Sequence, residues 1–234
     1  MIPKIIHYCW FGGKEKPKQI VDYINNWKKM LPDYIFKEWN ESNFDIERLS
    51  YTKEAYEAKK YAFVSDVARL YALLNDGGIY LDTDVEVVKS FNDILDNTAF
   101  VGFESKKLVA TCVIGSEKNS VFIRDFYSIY ENKHFDVHNT GTNVQLLTTL
   151  LNKKKKVVYP FMSIDGYVKI YPYDHFVAFN YLYGRKEQTA QTYAIHHYSA
   201  TWHPWYERIE KNVFNALGLR YRAIIKRYIV DKIS

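Results

Sequence analysis

The chain has 234 residues, 47% of them hydrophobic and 25% charged. That is ordinary for a globular protein and enough for one well-packed domain with at most a small appendage. Its net charge of +5 is unevenly placed: between Gly218 and Ser234, Arg220, Arg222, Lys226, Arg227 and Lys232 oppose only Asp231, so five cations less one carboxylate give +4 there. The remainder is near neutral, which excludes a general nucleic-acid face. Cys9 and Cys112 are the only cysteines, too few for a disulfide framework or a thiolate metal cluster. No stretch approaches the roughly 18 apolar residues of a membrane span. Met1-Ile2-Pro3-Lys4 leads straight into an apolar run without a charged leader, so a cytoplasmic place is expected. The 21 Tyr, 14 Phe and 5 Trp serve mainly a packed core, with some left to stack on sugar rings or bases.

Ile2–Trp10 reads as a first strand, closed by a Gly12-Gly13 turn that ends near Pro17. Trp10 therefore stands at a strand's carboxyl end, where open α/β sheets hold ligands, although a Trp taken alone is more often a core residue than a ligand platform. Ile20, Val21, Ile24, Trp27 and Leu31 mark an amphipathic helix that Pro32 ends, and Tyr34–Trp39 follows as a second strand. Asn43–Lys60 is polar, read as loop and helix. Strand alternating with helix predicts an α/β sheet of the nucleotide-binding type.

The richest stretch is 61–91. Phe63, Val67, Leu70 and Leu74 form a helical stripe, and Asn75-Asp76-Gly77-Gly78 stops the helix because glycine accepts the left-handed conformation. Asp66 and Arg69 lie three residues apart, on one face of that helix. Ile79-Tyr80-Leu81 is a short buried strand that delivers Asp82 and Asp84 at its end. In extended chain, residues i and i+2 share a side, so the two carboxylates are expected to converge with Thr83 facing away. Like charges held together call for a cation, and oxygen ligands suit Mg²⁺ or Mn²⁺. A lone D-x-D is also met as a solvated pair at a strand end; the longer pattern Ser65-Asp66-x-x-Arg69, Gly77-Gly78-x-Tyr80-x-Asp82-x-Asp84 is far more specific.

Val85–Val88, Ala99–Phe103 and Leu108–Gly115 read as further strands, with Glu104 either facing a substrate or solvated, and Ser120–Tyr130 as a helix. His134 and His138 fall in a polar connector and read as surface residues. Gly141-Thr142-Asn143 opens a helix to Asn152, its N-terminus suited to hydroxyl-rich or anionic ligands. Thr192–Tyr198 is the last strand; its neighbours His196 and His197 face opposite ways, so one at most can join a metal site. His196 is preferred, following Ala194-Ile195, with His197 its rival. Tyr221, Ile224, Ile225, Tyr228 and Ile229 form an apolar stripe flanked by Arg220, Arg222, Lys226 and Arg227. Such a helix fits a membrane interface or packs on the domain through the same stripe. Two divisions are expected: residues 1–205 as the catalytic domain and 206–234 as a basic amphipathic tail.

The motifs over residues 2–13 and 61–91 resemble glycosyltransferase family 32, which includes capsular polysaccharide synthesis proteins, and the catalytic core of the glucosylating clostridial toxins. The resemblance implies a GT-A-type mixed α/β sheet and a retaining, metal-dependent transfer of a sugar from a nucleoside-diphosphate sugar, by family default a UDP-sugar. The acceptor would be a glycan or a lipid-linked oligosaccharide, in bacterial surface polysaccharide synthesis, at the inner face of the membrane. It further implies that Asp82, Asp84 and His196 bind the ion, Mn²⁺ by the imidazole's preference or Mg²⁺. Asp82, Asp84 and Arg69 would be catalytic. Trp10 would stack on the base, and Ser65, Asp66, Arg69, Tyr80 and Trp202 would contact the donor. At Thr142 the chain departs from the family's usual Gly-Pro. Two other readings use the same residues: a haloacid-dehalogenase-type phosphatase with Asp82 as nucleophile, and a non-catalytic glycan-binding module built on aromatics.

Overall fold

A computed structural model describes residues 1–136, 141–160, 162–180 and 185–198. Its strands are β1 (Ile5–Cys9), β2 (Ile35–Trp39), β3 (Gly78–Leu81), β4 (Val85–Val87), β5 (Ala99–Gly102), β6 (Val113–Ser116), β7 (Met162–Ile164), β8 (Val168–Tyr171), β9 (Phe179–Asn180), β10 (Arg185–Lys186) and β11 (Ala194–His196). The helices are α1 (Lys18–Met30), α2 (Ser50–Glu57), α3 (Tyr61–Asp76), α4 (Val121–Glu131), α5 (Asn143–Lys154) and the single turn α6 (Tyr173–Phe176).

Seven strands form one mixed sheet in the order β2-β1-β3-β6-β5-β8-β7. The pairs β1–β2, β1–β3 and β5–β8 are parallel, and β3–β6, β5–β6 and β7–β8 antiparallel. From β1 the chain crosses to β2 and then returns to β3 on the other side of β1. Strand order thus reverses between β1 and β3, and the crevice outside their carboxyl ends is where such sheets bind ligands. All four residues of β3 are buried, as a central strand covered on both faces requires. Helices α2, α3, α4 and α5 bury one face of the sheet, centred on Val67, Leu70, Phe122 and Phe126. Helix α1 and the β4–β11 ribbon bury the other, around Ile6, Trp27, Phe91 and Phe100.

Helix α1 docks through Ile20, Ile24 and Trp27, and the Trp27 indole donates to the Val85 carbonyl at 2.7 Å. Val21, expected on that stripe, is exposed, because it falls off the arc that faces the sheet. Helix α3 also differs from its predicted stripe. Phe63 and Leu74 are only partly buried, whereas Val64, Val67, Ala68, Leu70, Ala72 and Leu73 are enclosed together with Asp66 and Arg69. A helix caught between sheet, α2 and α4 buries more than one stripe. The stretch from Leu108 forms a regular strand only from Val113, preceded by a bridge between Phe103 and Val109. The last strand is shorter than predicted, since only Ala194–His196 pair with β4. His138, Trp202 and the whole of 206–234, with the tail's stripe and the proposed division at 205, lie outside the described residues.

The Gly77-Gly78 break joins helix to strand with no room for a side chain. Both have positive φ, +67° and +113°, and a Cβ on Gly78 would lie 2.6 Å from the Ile5 carbonyl oxygen. Buried His7 supports the same bend, its Nε2 lying 2.8 Å from the Gly77 carbonyl and its Nδ1 accepting from the Trp39 indole at 3.1 Å. Burial lowers the pKa of His7, consistent with a neutral ring holding both bonds. Gly78→Ala should cost about 2–4 kcal/mol by urea denaturation, from strain plus backbone overlap. A loss within about 0.5 kcal/mol of zero would contradict this join.

Candidate metal and sugar-nucleotide site

Strand β3 ends at Leu81, and the next residues turn instead of staying extended. The Asp82 N–H donates to the Cys112 carbonyl at 2.9 Å, and the Val85 N–H returns to the Asp82 carbonyl at 3.0 Å. A turn over 82–85 therefore brings the two carboxylates to one side, which corrects the expectation that strand alternation does so. The turn reverses the chain into β4, which pairs antiparallel with β11 and sets His196 opposite Val85. His196 Nε2 lies 3.2 Å from Asp84 Oδ1, and the His197 N–H donates to the Asp84 carbonyl. One donor atom each from Asp82, Asp84 and His196 lies within 4.8 Å of the others. Two bonds of about 2.1–2.4 Å across a divalent ion span about 4.2–4.8 Å, so the three groups fit such an ion with little movement. Two hard carboxylate oxygens and one imidazole nitrogen are also a donor set that a divalent cation takes. The structure turns the rival, His197, the other way: its Nε2 meets Glu86 at 2.8 Å and its ring stacks on Tyr23.

The cluster is acidic, and one buried guanidinium serves two of its carboxylates. Arg69, 4% exposed, reaches Asp66 Oδ1 at 2.9 Å and Asp82 Oδ1 at 3.2 Å, and donates to the carbonyls of Ser65 and Thr111. Asp82 also accepts from the Tyr80 hydroxyl at 3.0 Å, and the Arg69 guanidinium stands 4.4 Å from the centre of the Tyr80 ring. Burial, and then Asp82, push the Asp66 carboxyl up against the pull of Arg69. Burial drives His196 toward its neutral form, but Asp84 and then Cys112 outweigh it and hold the imidazole well above its ordinary pKa. Burial raises the Glu104 carboxyl too, within the field of His196 and Asp82.

Several predicted contact residues face inward. Asp66 and Arg69 were expected to orient sugar hydroxyls; with 7% and 4% exposure they hold Asp82 and each other instead. Tyr80, 2% exposed, braces Asp82, and the Ser65 hydroxyl donates to the Tyr61 carbonyl of its own helix. Trp10 is half-buried at the end of β1, its indole donating to the Lys14 carbonyl at 2.6 Å and the Lys16 ammonium 5.8 Å from its ring centre. Strand β1 pairs directly with β3, so Trp10 and Asp82 follow adjacent strand ends. Thr142 caps α5, its hydroxyl accepting from the Gln145 N–H, and no ligand contact is needed to explain it. His134 is exposed beside Glu54, as expected of a surface residue.

Three supporting residues carry no local sequence signal. Asn143, at the start of α5, donates to Asp66 Oδ1 at 2.5 Å across 77 residues. Cys112 is enclosed against His196, and Thr111 supplies the carbonyl that Arg69 binds. Only the Gly141-Thr142-Asn143 helix start hinted at the first. Replacing Arg69 by Met should lower stability by about 3–5 kcal/mol, since it strands the enclosed Asp66 beside Asp82. Arg69→Lys should recover less than half of that loss, because one ammonium cannot fork to both carboxylates and two carbonyls. A lysine variant as stable as the parent in urea would contradict the bridge.

Residues 17–101 match the family described as glycosyltransferase sugar-binding region containing DXD motif. The chain is 34% identical to an uncharacterized glycosyltransferase of Acanthamoeba polyphaga mimivirus over 62% of this chain and 63% of that one. It is 29% identical to inositol phosphoceramide mannosyltransferase 3 of Schizosaccharomyces pombe over 57% of this chain and 40% of the other. The matched segments thus span less than two thirds of these relatives' own length. In fold it is similar to the PaToxG glycosyltransferase, with a TM-score of 0.55 and 20% identity over 66% of this chain and 70% of that one. The resemblance to family 32 is borne out as a similarity: residues 17–101 match a DXD sugar-binding region, the sheet is of the GT-A type, and the relatives and fold neighbour named here are glycosyltransferases.

Proposed function

We propose that this chain transfers a sugar from a nucleoside-diphosphate sugar to a hydroxyl acceptor, with retention at the anomeric carbon as family 32 implies. The observation that carries this reading is the cluster of Asp82, Asp84 and His196, formed by the turn after a central strand at the sheet's switch point. In the reaction, the bond between the anomeric carbon and the diphosphate oxygen breaks, and its electron pair stays on the diphosphate. The acceptor oxygen bonds to that carbon, and its hydroxyl proton passes to the departing diphosphate. A divalent ion, Mn²⁺ by the imidazole's preference or Mg²⁺, would be held by Asp82, Asp84 and His196 and, when bound, supplies positive charge beside the departing diphosphate.

The chain's own residues do the rest by position. Arg69 fixes the Asp82 carboxylate and Tyr80 adds a second bond to the same oxygen, so the acidic pair is preorganised before a donor arrives. Asp66, itself held by the Asn143 amide, braces Arg69 from behind. Trp10, at the end of the neighbouring strand, offers a ring face for the nucleotide base. Mannosyl transfer is the activity named for the yeast relative, so GDP-linked and UDP-linked sugars are both candidate donors. A glycan or lipid-linked acceptor, a surface-polysaccharide setting, and membrane contact by the basic tail complete the proposal on sequence grounds. The phosphatase reading is disfavoured, since its D-x-D normally ends the first strand, whereas here β1, β2 and the glycine turn precede β3 and Asp82.

The test is a panel of UDP- and GDP-sugars supplied with Mn²⁺, scored by release of the nucleoside diphosphate. At least one should be turned over, and Asp84→Ala should lower that turnover by about 100-fold or more. Turnover unchanged in Asp84→Ala, or phosphate monoesters split in place of nucleotide sugars, would overturn the reading.

A further inference from the structure

We propose that the cavity bounded by Glu104, Tyr159, Tyr173, Phe179, Glu187 and Tyr198, about 280 Å³ in volume, binds the terminal sugar ring of a glycan acceptor. The inference rests on the transferase reading and names where its second substrate is recognised. Place is the first argument. Tyr198 is both a wall of this cavity and a neighbour of the metal cluster, its ring centre 4.0 Å from that of His196 and its hydroxyl 3.4 Å from Glu104 Oε1. A sugar in the cavity is therefore one side chain away from the atoms that would hold the departing diphosphate.

Chemistry is the second. Four aromatic rings offer faces for the apolar C–H side of a pyranose, and two carboxylates offer acceptors for its hydroxyls. Glu187 accepts from the Tyr173 hydroxyl, which fixes one acid against one ring. Lys106 lines the same cavity, and an acyl chain would cover it and both carboxylates while offering none of them a hydrogen bond, whereas a sugar's hydroxyls can serve all three. The acceptor's sugar, not a lipid portion, is the occupant these walls suit.

Backbone strain is the third. Tyr198 has φ +49°, a conformation few non-glycine residues adopt and one that clusters at binding sites. Its tilted ring contact with His196 and its bond to Glu104 hold the side chain between cluster and cavity. Beyond, a larger cavity of about 660 Å³ shares Tyr159, Tyr173 and Glu187 as walls and continues toward Arg185 and Thr189. A second sugar of a longer acceptor would follow that course.

The test uses methyl glycosides of mannose, glucose and galactose as probes, observed by saturation-transfer NMR on the full chain without donor. At least one should bind, and Tyr173→Ala and Tyr198→Ala should each weaken it about five- to tenfold. Tyr173→Phe, which keeps the ring and loses only the bond to Glu187, should stay within about threefold of the parent, so that a general loss of folding is not mistaken for loss of the site. No binding by any glycoside, or binding that survives both alanine changes, overturns the assignment. Failure of every nucleotide sugar in the turnover assay would sink the transferase reading separately, because glycoside binding is scored without donor.

Discussion

One buried guanidinium holds this architecture together. Arg69 stands between Asp66 on its own helix and Asp82 beyond the neighbouring strand, and it binds the carbonyl of Thr111 just before β6. Helix, turn and strand are thereby pinned at one point inside the fold. Taking such charges out of water costs several kcal/mol each, so the arrangement stabilises only while every partner is in place. Asn143 and Tyr80 complete it by donating to the same two carboxylates.

That bridge also defines the local charge. Arg69 meets Asp66 and Asp82, and Asp84 is left to His196, so the acids of the cluster outnumber its one guanidinium. The raised pKa of His196 is the protein's own response to that excess. A divalent cation seated there would take over that balance, releasing the proton from His196 as the imidazole nitrogen turns to the ion. Topology puts this demand in a useful place, because reversal of strand order between β1 and β3 opens a crevice at the carboxyl ends of both.

How much of this was legible beforehand depended on how local each signal was. Helix α3, its glycine stop, the central strand and the acidic pair all follow from spacing within about thirty residues, and the structure has each of them. The convergence of Asp82 and Asp84 was foreseen, but by the wrong means: a tight turn closed by the Val85 N–H on the Asp82 carbonyl brings them together, and the strand leads into it through the Cys112 carbonyl thirty residues away. Asn143, Cys112, His7 and Tyr198 gave no adequate sign, since their roles exist only through partners distant in sequence. Asp66 and Arg69 were found by spacing, yet their inward orientation was not, because spacing fixes a shared helix face without saying what covers it. Trp202 and the basic tail lie beyond the described residues, so their sequence readings stand as expectations.

Anomalous scattering from crystals grown with Mn²⁺ and a nucleoside diphosphate tests the central claim most directly. The account predicts a single strong peak within about 2.1–2.4 Å of Asp82, Asp84 and His196, with the diphosphate beside it. A bound nucleotide with no peak there, or a peak coordinated without either aspartate, would contradict it.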